Sequence, residues 1–589
     1  MQLRHANWNT IRCFCFLIFC GIASPSMIWA DEADKLNAII TAEWNRTLQE
    51  NPTMASQMGN RTYNQLWSNE STSAIEASQL QTRNVLKQLQ QIDATQLSGS
   101  SELNYRLFRR EYEARVAEQP FQLYLMPLNQ RGGIQDESNL ADSLQFDSIR
   151  DYEDWIARLN AFPVYMDQTI ALMRAGIKTG MLHPKIVMQR VPGQIRRQIV
   201  DNPENSLYYS AFKTFKVELS EQEKARLCQE ARTAINERIV PAYRVFLKFF
   251  EDEYLPASFD KVGCWQRPDG QNMYASLARK FTTTDLTPQQ IHDIGQKEVA
   301  RIRAEMESIQ KLVQFEGSFQ EFLTHLRTDK QFYFDDANQL LAAYKACCKR
   351  IDPELPKLFK RLPKIPYEIV PIPDQMAPDT TTAYYQPPAP DGNRPGRYYV
   401  NLYRVQDRPK YEIEALSLHE SVPGHHFQIA LAMELENVPE FRRYGGYTAF
   451  IEGWGLYSEK LGEEIGLYQD PYSKFGQLTY EMWRAVRLVV DTGMHSLKWT
   501  RQDAIDFFAA NTAKSLLDIE NEVDRYIAWP GQALAYKIGE LKIRELRATA
   551  EAKLGPRFDI KNFHEVVLQN GAVPLNVLEE QVNDWIDKQ

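Results

Sequence analysis

The sequence predicts a mainly α-helical fold that contains one small β-sheet. From residue 33 to about residue 362, apolar residues recur at steps of three and four, which is the spacing of amphipathic helices. Prolines then cluster between residues 363 and 410, where short aromatic and β-branched runs are typical of strands. Helical periodicity returns after this segment. We therefore predict a helical scaffold half, 31–362, and a second half, 363–589, joined in one continuous fold.

Residues 1–30 have the parts of a secretory signal peptide. Arg4 and Arg12 supply the positive start, and the apolar stretch that follows is too short to span a bilayer. We expect cleavage after Ala30 and a periplasmic or secreted protein with no other membrane association. Cys20 follows a phenylalanine rather than a small residue, which argues against a lipoprotein site. An uncleaved N-terminal anchor is the alternative.

The composition argues against nucleic acid as a partner. The chain of 589 residues has a net charge of −9 and no basic run, and removal of the leader makes the charge more negative. Too few cysteines remain after the leader for a disulfide framework. A Cys228–Cys264 disulfide is open in an oxidising compartment, and the state of Cys347 and Cys348 is open as well.

The scaffold half contains predicted helices without evident chemistry. They span residues 76–95, 102–118, 149–175, 219–252 and 287–313. Thr287, Pro288 and Gln290 form the pattern of a capping box at the start of the last helix. Arg190 could bind a substrate carboxylate, although one arginine is a weak signal.

Three short runs before the histidine-rich motif predict a small sheet. They cover residues 367–370, 381–386 and 398–403. An exposed edge of this sheet could hold an extended peptide by strand addition, and an ordinary structural sheet is the alternative. Tyr384 and Tyr385 either line a cleft or pack in the interior.

Three of the nine histidines, His419, His425 and His426, lie within eight residues, and Glu420 directly follows the first. Imidazole nitrogens this close indicate a divalent metal site, most often zinc. A carboxylate beside the first ligand is typical of a general base that deprotonates water. The usual H-E-x-x-H motif places its histidines one helical turn apart, but here the fifth position is Pro423. A histidine cluster at a helix break, without metal, is the alternative.

Pro423 and Gly424 bear on which histidine is the second ligand. Proline removes a backbone donor and crowds the preceding turn, so the helix must kink or bulge, and glycine tolerates the resulting angles. A bulge of this kind could bring the His425 side chain beside that of His419. His426 would lie on the same face of a straight helix, but roughly 10 Å away. We predict His425 as the ligand and keep His426 as a competitor.

Two motifs together point to a known family. The first reads HisGluSerValProGlyHisHis-x-Gln from residue 419, and the second reads PheIleGluGlyTrpGlyLeuTyrSerGlu over residues 450–459. They resemble the bacterial family catalogued as domain of unknown function 885, from about residue 35 to the C-terminus. That family resembles the gluzincin metallopeptidases, whose third zinc ligand is a glutamate on a later helix. The resemblance implies a large helical gluzincin-like metallopeptidase fold, with a deep cleft and a small sheet next to the metal helix.

Glu452 is the predicted third metal ligand. It follows His425 by 27 residues, which is enough for a loop and an antiparallel return. Gly453 and Gly455 allow a close approach of the two segments, and three protein ligands leave a fourth position for water. Glu459 is predicted to orient a ligand histidine. A solvated helix face is the alternative for both acids.

A predicted helix at about 472–497 aligns Arg484, Arg487, Asp491 and His495 on one face. Charges on a mostly apolar helix are either paired internally or face a cleft. Either arginine could bind a peptide carboxylate with two hydrogen bonds. We predict that His495 donates to the developing oxyanion. An ion-paired structural stripe is the alternative.

A second candidate for the oxyanion role follows Pro530 and Gly531. These residues predict a turn into a helix that places Gln532 and Tyr536 one turn apart on one face. A phenol near a polarised carbonyl can stabilise a tetrahedral intermediate. Gluzincins often use a tyrosine or histidine in this way, so the resemblance favours Tyr536. A core tyrosine is the alternative.

The predicted function is a secreted zinc metallopeptidase with one Zn²⁺ per chain and peptides as substrates. His419, His425 and Glu452 bind the zinc, and Glu420 moves a proton from the attacking water to the leaving amine. A zinc hydrolase of a non-peptide amide or ester is one alternative. A non-catalytic periplasmic binding protein on the same fold is the other. The sequence indicates neither the chain-end preference nor the oligomeric state.

Overall fold

The computed structural model describes residues 31–374, 376–390, 392 and 394–589, so the predicted signal peptide lies outside the described residues. The described chain is built from α-helices and one three-stranded sheet, which confirms the predicted mainly α fold. None of these helices is long and apolar enough to cross a membrane. A deep cleft is not established by the described residues and stays a prediction.

The helices that precede the sheet are α1 (Glu32–Glu50), α2 (Pro52–Gln57), α3 (Thr72–Leu89), α4 (Gly99–Glu118), α5 (Leu140–Ser143), α6 (Ile149–Thr179), α7 (Lys185–Met188), α8 (Val191–Arg197), α9 (Ser210–Lys213), α10 (Glu221–Ala234), α11 (Val240–Phe249), α12 (Leu255–Ala257), α13 (Gly270–Thr282), α14 (Pro288–Leu312), α15 (Phe319–Thr328), α16 (Ala337–Ile351) and α17 (Leu355–Leu358). The helices that follow it are α18 (Ile413–Glu420), α19 (His425–Met433), α20 (Glu440–Tyr444), α21 (Thr448–Leu461), α22 (Pro471–His495), α23 (Arg501–Asn511), α24 (Leu516–Ala528), α25 (Ala535–Leu554), α26 (Ile560–Leu568) and α27 (Leu575–Asp587).

Local sequence signals account for where several helices start and change course. The capping box predicted at Thr287 is present, with the threonine and Gln290 side chains each bonded to the other's backbone N–H. The single helix predicted at 219–252 is interrupted by π-helical turns at Ile235–Ile239 and Phe250–Tyr254. A proline lies at the start of the helical segment after each π turn. Proline has no N–H and crowds the preceding turn, and the wider π turn accommodates it.

The sheet consists of β1 (Tyr367–Pro371), β2 (Ala383–Gln386) and β3 (Gly396–Val400), in the order β1-β3-β2. The central strand β3 pairs in parallel with β1 and antiparallel with β2. Tyr384 is opposite Tyr399, and their rings stack with centroids 4.7 Å apart. Strand β2 lies against α18, and β3 lies against α19. The predicted sheet therefore stands next to the helices that carry the histidine motif.

A large apolar core receives residues from both predicted halves, 31–362 and 363–589. Helix α14 of the first half packs on α22 of the second, where Gly295 fits against Leu488 and Val489 with no room for a Cβ atom. Cys228, Cys264, Cys347 and Cys348 are free thiols, so the Cys228–Cys264 disulfide that the sequence left open is not formed.

Candidate metal centre

The histidine motif forms two helices rather than one bulged helix. Helix α18 ends at Glu420 and α19 begins at His425, with a cis Val422–Pro423 peptide bond between them. A Cβ atom on Gly424 would lie 1.9 Å from the carbonyl oxygen of His419, so this close turn needs glycine. The break brings the rings of His419 and His425 to 4.6 Å between centroids. The predicted approach of these two histidines is therefore present, although a helix break produces it.

The side chains of His419, His425 and Glu452 converge, with one ligand atom from each within 4.8 Å of the others. The Oε2 atom of Glu452 lies 3.3 Å from Nε2 of His425 and 3.6 Å from Nε2 of His419. In a tetrahedral site, zinc bonds of about 2.0–2.1 Å place ligand atoms roughly 3.3 Å apart. The same Oε2 atom is buried and has no hydrogen-bond partner in the described part of the chain. Two imidazoles and a carboxylate in this arrangement fit a zinc ion.

His426 points away from this cluster. Its Nε2 donates to the carbonyl of Ile365 at 3.0 Å, and its Nδ1 accepts from the Tyr385 hydroxyl at 2.9 Å. Burial lowers the pKa of His426 to about 4, so the ring is neutral at pH 7. Both ring nitrogens therefore hold the sheet and its approach segment against α19, and of the two competing histidines only His425 joins His419.

Glu459 orients His419. Its Oε1 lies 2.8 Å from Nδ1 of His419 and 3.3 Å from Nη2 of Arg484, and the side chain is fully buried. This contact keeps the His419 proton on Nδ1 and leaves Nε2 to face Glu452. A Cβ atom on Gly455, which lies on α21, would be 2.8 Å from the His419 ring, so only glycine at this position leaves room for the ring.

The electrostatics of the cluster favour a cation. Burial alone would lower the pKa of His419, but the carboxylates of Glu452 and Glu459 outweigh this effect and raise it to about 9. Burial raises the pKa of Glu452, but the two histidines hold it well below its usual range. The carboxylates thus favour the protonated, positively charged form of the His419 ring. A bound metal ion would take the place of that proton.

Two predicted catalytic residues are neighbours of His419, Glu420 in the chain and Tyr536 in space. Glu420 is buried at the end of α18, next to His419 in the chain. The Tyr536 ring is nearly parallel to the His419 ring, with centroids 6.4 Å apart. Nη2 of Arg525 donates to the Tyr536 hydroxyl oxygen at 3.0 Å. The phenol proton itself has no acceptor among the described residues, so it is free to donate to a ligand.

His495 does not belong to the cluster, which is a correction to the prediction. Its Nδ1 accepts from the backbone N–H of Cys264 at 3.1 Å, and its Nε2 donates to the Tyr526 carbonyl at 2.9 Å. It also lies eleven residues beyond Arg484 on the same helix, a distance of roughly 16 Å. Because both nitrogens are used and the ring is fully buried, the predicted oxyanion role of His495 does not fit its position.

Other charged candidates are paired within the protein. Arg190 bonds to Asp524 at 2.7 Å, so the suggested carboxylate role does not fit it. Asp491 accepts from the Tyr274 hydroxyl and from the N–H of Gly531, and so fixes the turn before α25.

Sequence reasoning overlooked Arg131 and Arg525. Arg131 comes from the first half, yet its pKa responds to the charges of Arg525 and Arg487 in the second. The only signal at Arg131 is its place in the turn-forming run Asn129–Gly133. Such a run predicts that the arginine is exposed, but it does not predict which residues surround it in the fold.

The family described as "Bacterial protein of unknown function (DUF885)" matches residues 52–582, which is most of the chain. The chain belongs to this family. The DUF885 description assigns no activity, and the comparison with curated proteins finds no significant match.

Two solved structures show the same fold. A protein from Colwellia psychrerythraea, provisionally described as a lipoprotein, is 28% identical, with a TM-score of 0.90 over 95% of this chain and 100% of its own. A protein of unknown function from Shewanella oneidensis, also provisionally described as a lipoprotein, is 17% identical, with a TM-score of 0.70 over 94% of this chain and 99% of its own. A Bacillus anthracis protein provisionally described as oligoendopeptidase F has a TM-score of only 0.29 at 11% identity, over 86% of this chain and 92% of its own, which is below the level of a shared fold.

Proposed function

We propose that this DUF885 member is an exported zinc-dependent peptidase. The observation that carries the proposal is the convergence of His419, His425 and Glu452, the first of which is followed directly in the chain by the buried Glu420. The Glu459 contact to His419 supports it, because ligand histidines in metal sites almost always donate their second nitrogen to such a partner. A histidine cluster with a purely structural role would not need an unpartnered carboxylate oxygen between two imidazoles.

The residues divide the chemistry among them. His419, His425 and Glu452 would hold the zinc, which supplies polarisation of the scissile carbonyl and activation of water. Glu420 accepts a proton from the attacking water and returns it to the leaving amine. Tyr536 donates its free phenol proton to the carbonyl oxygen as negative charge develops there. The Arg525 guanidinium, which bonds to the phenol oxygen, keeps that donor in place.

The sheet provides the argument for peptides as substrates. Strand β2 is an edge strand in the order β1-β3-β2, and it lies against α18, whose last two residues are His419 and Glu420. The unpaired side of an edge strand can bind an extended peptide through main-chain hydrogen bonds. A peptide on β2 would thus run beside the helix that carries the first ligand and the general base.

Export rests on the signal-like pattern of residues 1–30, with cleavage near Ala30. Both structural relatives with high TM-scores are provisionally described as lipoproteins, which are exported proteins. We therefore propose a periplasmic or secreted location, which N-terminal sequencing of the mature protein from a bacterial host would test.

The metal site is tested first by metal content. Mass spectrometry of purified wild type is expected to show about one zinc per chain. Replacing His419, His425 or Glu452 with alanine is expected to remove it. The matched control is His426→Ala, which removes a neighbouring buried histidine and should keep the zinc. Folded wild type that binds no stoichiometric metal when zinc is supplied would refute the proposal.

The reaction is tested by Glu420→Gln. This change keeps the size of the side chain and removes its capacity to take a proton. We expect zinc content to stay at the wild-type level and the turnover of peptides from a mixed library to fall at least about 10²-fold. Near-normal turnover by the variant would contradict the assigned base. Hydrolysis of acyl amides or esters in preference to peptides would contradict the substrate class.

A further inference from the structure

Three arginines gather around Tyr536. The guanidinium carbon of Arg487 lies 4.2 Å from the centre of the Tyr536 ring, and Arg525 bonds to its hydroxyl. Arg131 lies near enough to both for their charges to lower its pKa. We call Arg131, Arg487 and Arg525 the arginine cluster.

The arginine cluster holds more positive charge than its partners neutralise. Glu522 is the carboxylate that pairs with it, at 2.9 Å from Arg487 and 3.5 Å from Arg525. Burial raises the pKa of Glu522, but the arginines lower it to about 2, so this carboxylate is ionised at pH 7. One negative charge against three positive charges leaves room for a further anion.

Two buried donors of the cluster have no partner. Arg487 and Arg525 are 2% and 8% exposed, yet Nη1 of Arg487 and Nε of Arg525 make no hydrogen bond in the described part of the chain. A buried charged donor without an acceptor costs a large part of its hydration free energy. Such donors are expected where a ligand supplies the acceptor.

Arg131 completes the cluster from the other half of the chain. Its backbone sits in a tight turn in which Asn129 and Gly132 bond to each other, and the Gln130 side chain ties the turn to the carbonyl of Asp524 on α24. The Arg131 side chain makes no hydrogen bond or ion pair with the residues that the structure describes. It is exposed to solvent, yet desolvation by the surrounding protein is the main cause of its lowered pKa. These properties leave the Arg131 guanidinium available to an anion from solvent.

The arginine cluster lies a short peptide length from the metal-ligand candidates. The centre of the Tyr536 ring is 6.4 Å from the centre of the His419 ring and 4.2 Å from the guanidinium carbon of Arg487. An extended chain advances about 3.3–3.6 Å per residue, so about three residues at most would separate a carbonyl at the metal from a group at Arg487.

We infer that the arginine cluster binds the C-terminal carboxylate of the substrate, so that the enzyme removes short fragments from the C-terminal end of peptides. This inference rests on the proposed peptidase function. Arginine suits the role because its planar guanidinium bonds a carboxylate through two parallel hydrogen bonds. A peptide with a blocked C-terminus would leave the buried donors unpaired and bind weakly.

The first test measures binding without turnover. The full chain carrying Glu420→Gln is titrated by calorimetry with a dipeptide that has a free C-terminus and with the same dipeptide as its amide, with and without a chelator. We expect the free acid to bind at least about tenfold tighter, the effect of one charge-assisted hydrogen bond. Adding Arg131→Met should reduce this preference towards unity. Adding Arg150→Met, which changes an arginine that is 83% exposed on α6, should leave it unchanged.

The outcomes separate the two proposals. Equal binding of acid and amide, or a preference that survives Arg131→Met, overturns the carboxylate site whether or not the protein hydrolyses peptides. Equally tight binding of an amide that ends in glutamate would show that side-chain carboxylates are read, and would overturn the C-terminal assignment. Absence of hydrolysis by wild type, with the acid preference intact, would defeat only the peptidase proposal.

The second test examines products. Wild type is given N-blocked peptides with free or amidated C-termini, and the fragments are identified by mass spectrometry. Release of one to three residues from the free acids, with at least about tenfold slower cleavage of the amides, is expected. Cleavage at internal bonds at equal rates in both series would overturn the inference.

Discussion

His419 owes its orientation to a carboxylate that would not touch the metal. Glu459 is fully buried and bonds to Nδ1 of His419 at 2.8 Å. We expect Glu459→Gln to weaken zinc affinity about 10- to 100-fold, the usual effect of losing such an outer partner. Competition with a chromogenic chelator would measure the affinity, and a melting curve would show that the fold is kept. Glu463→Gln, on the exposed turn after α21, is the matched control.

Wild-type zinc affinity in Glu459→Gln would show that the His419 ring is held by packing alone. The Gly455 contact is the packing that could do so.

Asp491 links stability to pH. Burial raises its pKa to about 7, from 3.8 in the unfolded chain. The folded protein therefore keeps a proton that the unfolded chain releases, so the stabilising contribution is complete below about pH 4 and is lost as the pH rises through 7. Asp491→Asn removes this titration. We expect the Tm of the variant, relative to wild type, to increase between pH 5 and pH 8.

Calorimetric or fluorescence melting across this pH range measures the difference. Asp506→Asn, on the exposed face of α23, is the control and should give a difference that does not change with pH. Parallel curves for Asp491→Asn and wild type would mean that the carboxyl is ionised in the folded protein.

Candidate functional residues were predictable where the sequence signal lies within a short motif. The spacing of His419, Glu420 and His425 indicated a metal site, and the structure brings the predicted ligand set together. His495 could not be assigned, because its alignment with Arg484 on α22 is real while its partners, Cys264 and Tyr526, come from distant segments. Periodicity places a side chain on a helix face but does not identify what covers that face.

At the scale of elements, glycines set the distance between α21 and α25. A Cβ atom on Gly453 would lie 2.5 Å from the backbone of Gly539, so the two helices touch through their main chains. We expect Gly453→Ala to lower the free energy of unfolding by about 1–3 kcal/mol, the cost of overpacking. It should also weaken zinc binding, because Glu452 and Gly455 lie on the same helix.

Chemical denaturation measures the first effect and chelator competition the second. Gly193→Ala on α8 is the control, because its Cβ would meet no atom within 4 Å. That change is expected to be neutral or to stabilise by about 0.5–1 kcal/mol through helix propensity. Unchanged stability and zinc affinity in Gly453→Ala would indicate that α21 and α25 can move apart without loss of stability or metal binding.

Elements were predictable where signals are short-ranged. The capping box at Thr287 and the three strands follow local patterns, and the structure contains them. The form of the break between α18 and α19 was not predictable, because a proline followed by glycine permits a bulge, a kink or two separate helices. The space left by neighbouring backbone at Gly424 selects among these, and that space is a tertiary property.

At the scale of the whole molecule, a metal ion would tie three helices together. Its ligands would come from α18, α19 and α21. A ligand that binds only the folded state stabilises it by about 2.7 kcal/mol at 100 times its Kd. For a chain of this size we expect zinc to raise the Tm by at least about 2 °C, and chelation to reverse the change.

Differential scanning calorimetry of wild type and Glu452→Ala measures this effect. The variant lacks one ligand and should show no zinc-dependent shift. A wild-type Tm that is insensitive to both zinc and chelator would mean that zinc does not bind between these helices, or does not bind at all.

The arginine cluster illustrates what sequence alone leaves out at this scale. Arg131 and Arg525 are almost four hundred residues apart in the chain, and neither has a motif of its own. Their meeting depends on the packing of the Asn129–Gly133 turn on α24, which no periodicity encodes. The convergence of the local histidine motif could thus be predicted, while the arginine cluster could not.

The break between α18 and α19 also changes how related sites can be found. Two histidines can meet a single ion when five residues separate them, provided that a turn such as Ser421–Gly424 replaces a stretch of helix. A pattern search that demands histidines four positions apart passes over every such chain. A search for H-E-x-x-P-G-H, paired with a downstream E-G-x-G, would instead retrieve candidates in genomes where the shorter pattern has no match.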